Sequence, residues 1–124
     1  MSSPNKLRVG IIGLGHWGPH IVRNFSTDRR CSVRYVCDLL DSTFQRVENL
    51  IQADCAKTTR AEELIQSSEV DAVVVATKWE EYKELSTPKL RNKMKGKILV
   101  DARRFFSHTD FPDSQYLTIG RSFH

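Results

Sequence analysis

What this chain of 124 residues lacks narrows it first. It holds three cysteines, Cys31, Cys37 and Cys55, and no CxxC pair. That argues against a disulfide framework. An odd count without a signal-peptide pattern suits reduced thiols in the cytoplasm. The four histidines, His16, His20, His108 and His124, show no ligand spacing with the cysteines. His16 and His20 are four apart at a helix start, but His16 falls in a glycine loop, so no metal site is expected. No apolar run approaches the length of a membrane span, and no membrane partner is expected. Internal repeats and low-complexity stretches are absent too. The length suits one domain, 1–124, with a polar leader over 1–6 and a short tail over 122–124.

Acid is missing from one stretch in particular. Between Lys89 and Arg104 the only acidic residue is Asp101, within a chain of net charge +4 and pI near 9.1. Basic residues are otherwise spread along the chain and little interleaved with aromatics. The stretch therefore reads as a solvated helix face, and no nucleic-acid partner is expected. A basic surface also suits an anionic nucleotide.

The strongest positive signal runs from Leu7 to Asp38. An apolar segment, Val9 to Ile12, leads into Gly13-Leu14-Gly15-His16-Trp17-Gly18, then a helix-like segment, then Val33-Arg34-Tyr35-Val36-Cys37-Asp38. This is the dinucleotide-binding fingerprint in its strand–turn–helix–strand context. Gly13 permits the tight turn. Gly15 lets main-chain amides approach a pyrophosphate. Gly18 lets the helix pack close to the sheet. The helix start, with His16 and Trp17 beside it, offers N–H donors and a partial positive charge to phosphates. Asp38 stands twenty residues beyond Gly18. It can accept from a ribose diol and repel a 2′-phosphate, so NAD is favoured over NADP. Arg46, on the segment that follows, weakens that preference slightly. The alternative is a glycine turn that only closes a βα unit.

The rest of the chain alternates strand and helix signals. Strands are expected at Arg8–Ile12, Ser32–Cys37, Asp54–Ala56, Asp71–Thr77, Lys97–Val100 and Gln115–Ile119. Helices are expected from Trp17 to Ser26, Asp41 to Ile51, a short one ending near Ser67, and Lys89 to Lys95. Pro19 sits in the first turn of its helix, where its missing N–H costs nothing. Thr59 and Glu62 have capping-box spacing. Val73-Val74-Val75 is the β-branched run of a parallel strand covered on both faces. The expected fold is α/β: a single Rossmann-like three-layer domain with a mainly parallel sheet of order 3-2-1-4-5-6. Ligand would sit at the carboxyl ends of the first and fourth strands, near Thr77, Lys78 and Trp79. Trp79 reads first as a core or capping aromatic and only second as a stacking one, and Lys78 first as a solvated charge and second as a phosphate contact.

Two resemblances follow from particular residues. From Lys6 to Arg60, through Leu7-Arg8-Val9-Gly10-Ile11-Ile12-Gly13-Leu14-Gly15-His16-Trp17-Gly18-Pro19-His20 and Val36-Cys37-Asp38, the chain resembles the cofactor domain of the glucose-fructose oxidoreductase/inositol dehydrogenase/MocA group. This implies NAD(P) on Gly13, Gly15, Gly18 and Asp38, with Thr77 near the nicotinamide half. The Glu-Lys-Pro motif of that group, whose lysine serves proton transfer, has no counterpart: Asp101-Ala102-Arg103 stands there instead. From Val70 to Arg121, the chain resembles the C-terminal domain of UDP-glucose/GDP-mannose dehydrogenases. The carriers are Asp71 to Tyr82, Met94 to Arg104 and Tyr116 to Arg121. This second resemblance implies a UDP-sugar ligand, with Arg103 and Arg104 on its phosphates. Arg103 matches the arginine of an Asp-Gly-Arg motif whose glycine is Ala102 here, and it could instead pair with Asp101.

The leading expectation is a stand-alone NAD(H)-binding domain with no catalytic residue of its own. Hydride transfer would need a partner chain or a homodimer to complete a pocket around the nicotinamide. The alternatives are a nucleotide-sugar-binding module and a structural or regulatory domain without ligand.

Overall fold

The computed structural model describes residues 6–76, 92–94 and 97–102, together with the backbone of 115–118. The apolar runs become parallel strands. They are β1 (Leu7–Ile12), β2 (Cys31–Cys37), β3 (Ala56–Thr58), β4 (Ala72–Val75), β5 (Ile98–Asp101) and β6 (Gln115–Thr118). Their order across the sheet is β3-β2-β1-β4-β5-β6, and every neighbouring pair is parallel. Strand order reverses at β1, whose neighbours are β2 and β4. That places a crevice at the carboxyl ends of β1 and β4.

Each face of the sheet has its own core, because successive side chains point to opposite sides. On one face Val9, Ile11, Val36 and Val74 pack with Val22 of α1 (Gly18–Thr27). On the other, Ile12, Val73 and Val75 pack with Leu64 and Ile65 of α2 (Ala61–Gln66) and with Met94. All four residues of β4 are buried, as a strand covered on both sides requires. The result is three layers, α/β/α.

Several local expectations are corrected. The segment after β2 is a 3-10 helix over Asp41–Arg46, not an α-helix to Ile51. Thr43 decides this locally: its amide and its hydroxyl both donate to Leu40 O, at 3.1 and 2.7 Å, which tightens the turn to i+3 spacing. The apolar residues still serve the core, with Val47 fully buried and Phe44, Leu50 and Ile51 packed around it. β3 begins at Ala56 and not at Asp54, whose carboxylate instead takes Arg34 Nη2 at 3.1 Å. The N-cap of α2 is Arg60, with no side-chain cap bond, and the turn before it is tied by Thr58 rather than Thr59. The Thr58 hydroxyl donates to Glu63 Oε1 at 2.7 Å and accepts the Arg60 amide at 3.0 Å. Of the helix expected over Lys89–Lys95, residues 92–94 are helical and the others lie outside the described residues. Lys93 ties that helix to α2, its Nζ donating to Glu62 and Gln66 at 3.0 and 2.8 Å.

The amino-terminal edge of the sheet is tied by charge. Arg8 grips Asp71 with Nε and Nη2 at 3.0 and 2.9 Å, joining β1 to the start of β4. The pair holds the Asp71 carboxyl below its ordinary range and raises Arg8. Lys97 donates to the carbonyls of Ile65 and Ser67, closing the C-terminal end of α2. Among the described residues no helix is long and apolar enough to cross a membrane.

Candidate functional site

The loop between β1 and α1 has a locked half and an open half. Gly13 has φ of 101°, a backbone conformation that a side chain at this position would strain. Its amide donates to Cys37 O at 2.7 Å, extending the β1–β2 pairing past the strand end. Leu14 turns its side chain into the core and is fully buried. On the helix side, a Cβ on Gly18 would fall 2.6 Å from Gly13 O, so α1 can approach the loop this closely only through a glycine.

The open half begins at Gly15, where an added Cβ would meet no atom within 4 Å. His16 and Trp17 follow on the surface, Trp17 being 47% exposed. Their rings meet edge to face, with centroids 5.1 Å apart. His20 stands one helical turn on, its ring centroid 6.1 Å from that of Trp17. Pro19 lies in the first turn of α1, as its fixed φ and missing N–H require. Pro19 has no N–H and the Ile21 amide donates to Trp17 O at 3.1 Å, which leaves Gly18 and His20 as the other donors of the first turn.

Asp38 lies beside this loop, one residue past β2. Its Oδ2 accepts the Leu14 amide at 2.6 Å and its Oδ1 accepts the Leu40 amide at 3.0 Å. The residue is 1% exposed. Leu40, by contrast, is 56% exposed beside the same edge. The fingerprint thus brings Gly13, Gly15, His16, Trp17, Gly18 and Asp38 to one place. It gives no hint that the Leu14 and Leu40 amides would complete the arrangement. Leu14, an apolar residue between two loop glycines, was the one available signal.

The other half of the carboxyl edge is described only in part. Ala76 follows β4, its amide donating to Ile12 O at 2.8 Å, and buried Asp101 ends β5. Thr77, Lys78 and Trp79, and likewise Arg103 and Arg104, lie outside the described residues. Away from this edge, a small cavity of about 60 Å³ opens near Cys31, at the opposite end of β2. That volume is far below what a nucleotide occupies. Burial pushes the Cys55 thiol up to about 11 and raises Cys31 as well, so both are poor nucleophiles at neutral pH. Among the described residues there is no group of three or more His, Cys, Asp or Glu that could hold a metal ion.

Solved structures share this architecture. The apo scyllo-inositol dehydrogenase from Lactobacillus casei superposes with TM-score 0.73 at 11% identity, over 94% of this chain and 37% of that one. The same enzyme with bound cofactor NAD(H) and scyllo-inositol gives TM-score 0.70 at 12% identity, over 92% and 36%. The myo-inositol 2-dehydrogenase from Lactobacillus plantarum gives 0.71 at 16%, over 91% and 36%. At such identities the likeness is one of fold, and this chain spans little more than a third of each of those proteins. No curated protein sequence matches it. Residues 41–108 match the UDP-glucose/GDP-mannose dehydrogenase family, UDP binding domain. That match takes in β3, α2, β4 and β5 and covers more than half of the sequence, and the chain belongs to this family.

Proposed function

We propose that the chain is a Rossmann-type domain that binds NAD(H) at the loop between β1 and α1. The observation that carries the reading is the split in that loop. Gly13 and Gly18 are fixed by the fold, whereas Gly15 faces empty space at the start of a ten-residue helix. A glycine that the fold does not need there suits close approach by a pyrophosphate. In this reading His16 and Trp17 flank the phosphates, and Thr77, Lys78 and Trp79, which lie outside the described residues, supply the remaining contacts, Thr77 at the nicotinamide half. The negative charge of Asp38 disfavours a 2′-phosphate and so favours NAD over NADP. The domain works in the cytoplasm, and hydride transfer draws the second wall of its pocket from a partner or a second copy.

A second reading rests on the family match over 41–108. In it the ligand is a UDP-sugar, with Arg103 and Arg104 gripping its phosphates through guanidinium forks.

Calorimetric titration with NADH, NADPH and UDP-glucose separates the two. Heat from NADH that disappears in Gly15→Val supports the first reading. Heat from UDP-glucose alone, unchanged in Gly15→Val and lost in Arg103→Ala, supports the second and overturns the first. Silence from all three ligands overturns both.

A further inference from the structure

We infer that Asp38 is a positioning residue, which shapes the glycine loop for its ligand instead of binding a ribose diol itself. The inference deepens the dinucleotide reading and rests on it for its ligand arm alone. A carboxylate has about four lone-pair sites, so two accepted hydrogen bonds do not exhaust it. Burial is what separates Asp38 from a diol, since only 1% of the residue is exposed. The two donors come from different segments. Leu14 belongs to the loop after β1, and Leu40 to the turn after β2. A single side chain thus joins the two loops between which a dinucleotide would lie.

The Leu14 bond acts in concert with three other restraints. Gly13 N binds Cys37 O at 2.7 Å, and Asp38 N binds Thr58 O at 3.3 Å. The Leu14 side chain is held in the core. Together they fix Gly13 and Leu14 and leave Gly15 as the first residue free to meet a ligand. Without the carboxylate, the buried Leu14 amide would have no acceptor in this arrangement, and the loop would move to find one. Gly15, the next residue along the chain, would then lose its fixed position. The length of Asp matters too: both oxygens must reach main-chain amides on opposite sides of one short side chain.

Two measurements on the full chain decide this. In the ligand-free protein, amide hydrogen exchange at Leu14 and Leu40 is slow, and Asp38→Ala speeds it by about tenfold or more, the effect of losing a charge-assisted hydrogen bond. Asp38→Asn, which keeps one acceptor oxygen, falls between, and protection at Val74 in the core stays unchanged. Unchanged exchange at Leu14 in Asp38→Ala would overturn the proposal. In the second measurement, NADH and its 2′-deoxyadenosine analogue bind the wild type with dissociation constants within about twofold. Asp38→Asn weakens both by the same factor while circular dichroism shows it folded. Analogue binding that is about tenfold weaker in the wild type and equal to NADH in Asp38→Asn would mean that Asp38 reads the diol, and the proposal would fall. If NADH does not bind at all, the functional reading fails and amide exchange alone decides the role of Asp38. If neither variant folds, the wild-type comparison of NADH with its analogue stands without them.

Discussion

A Cβ built on Gly18 would lie 2.6 Å from the carbonyl oxygen of Gly13. This contact joins the first turn of α1 to the end of β1, and main chain cannot yield as a side-chain tip can. Gly18→Ala should therefore cost about 1–3 kcal/mol, the usual range for overpacking. Gly13→Ala should cost a similar amount, about 1–3 kcal/mol, through strain at φ 101°. Gly15→Val should stay within about 0.5 kcal/mol of the wild type. Urea unfolding midpoints at constant slope give all three. Equal losses at 13, 15 and 18 would contradict the division of the loop into locked and open halves.

Gly10 and Leu64 form a second close pair, this time between β1 and α2. A Cβ on Gly10 would meet Leu64 Cδ2 at 2.7 Å and Cγ at 2.8 Å. Here the obstacle is a side chain, so the conflict can be relieved by mutation. Gly10→Ala alone should destabilise. Leu64→Ala alone should cost about 2–5 kcal/mol as a buried truncation. The double variant should be more stable than the sum of the two predicts, with coupling of about 0.5–3 kcal/mol. Strict additivity in a double-mutant cycle would show that the two positions do not share this space.

Asp28 gives a test in acid. Arg30 donates to it through Nε, Nη2 and its main-chain amide, at 3.0, 2.7 and 2.8 Å. The side-chain bonds contribute most, and the carboxyl is lowered from 3.8 to about 2. A depressed carboxyl stabilises the fold fully above its unfolded value. The contribution fades as pH drops from about 4 toward 2. Carbon NMR should follow Asp28 titrating near 2 in the wild type. In Arg30→Ala it should rise only part of the way back, because the main-chain amide still donates. An ordinary value in the wild type would refute the arrangement. The pair is exposed, so its weight in overall stability is small.

The sequence carried the layered fold because periodicity and punctuation agree. The β-branched run at Val73-Val74-Val75 can be satisfied only under cover on both faces, and Gly13 and Gly18 mark a loop where main chain comes close to main chain. Where local structure departs from the apolar spacing, short-range competition is the reason. Thr43 bonding to Leu40 O turned an apparent α-helix into a 3-10 turn. Thr58 displaced Thr59 because its hydroxyl could serve both Arg60 and Glu63. Neither choice is visible in apolar spacing, since Phe44, Val47, Leu50 and Ile51 reach the core either way.

The sequence by itself determined the α/β class, the strand order around β1 and the placing of the glycine loop at the carboxyl edge. These follow from local pattern plus the handedness of βαβ connections. Only the tertiary structure decided what Asp38 does there. Spacing can bring an acid to the end of β2. Whether its oxygens face a ligand or the amides of Leu14 and Leu40 depends on how two loops distant in sequence meet across the sheet.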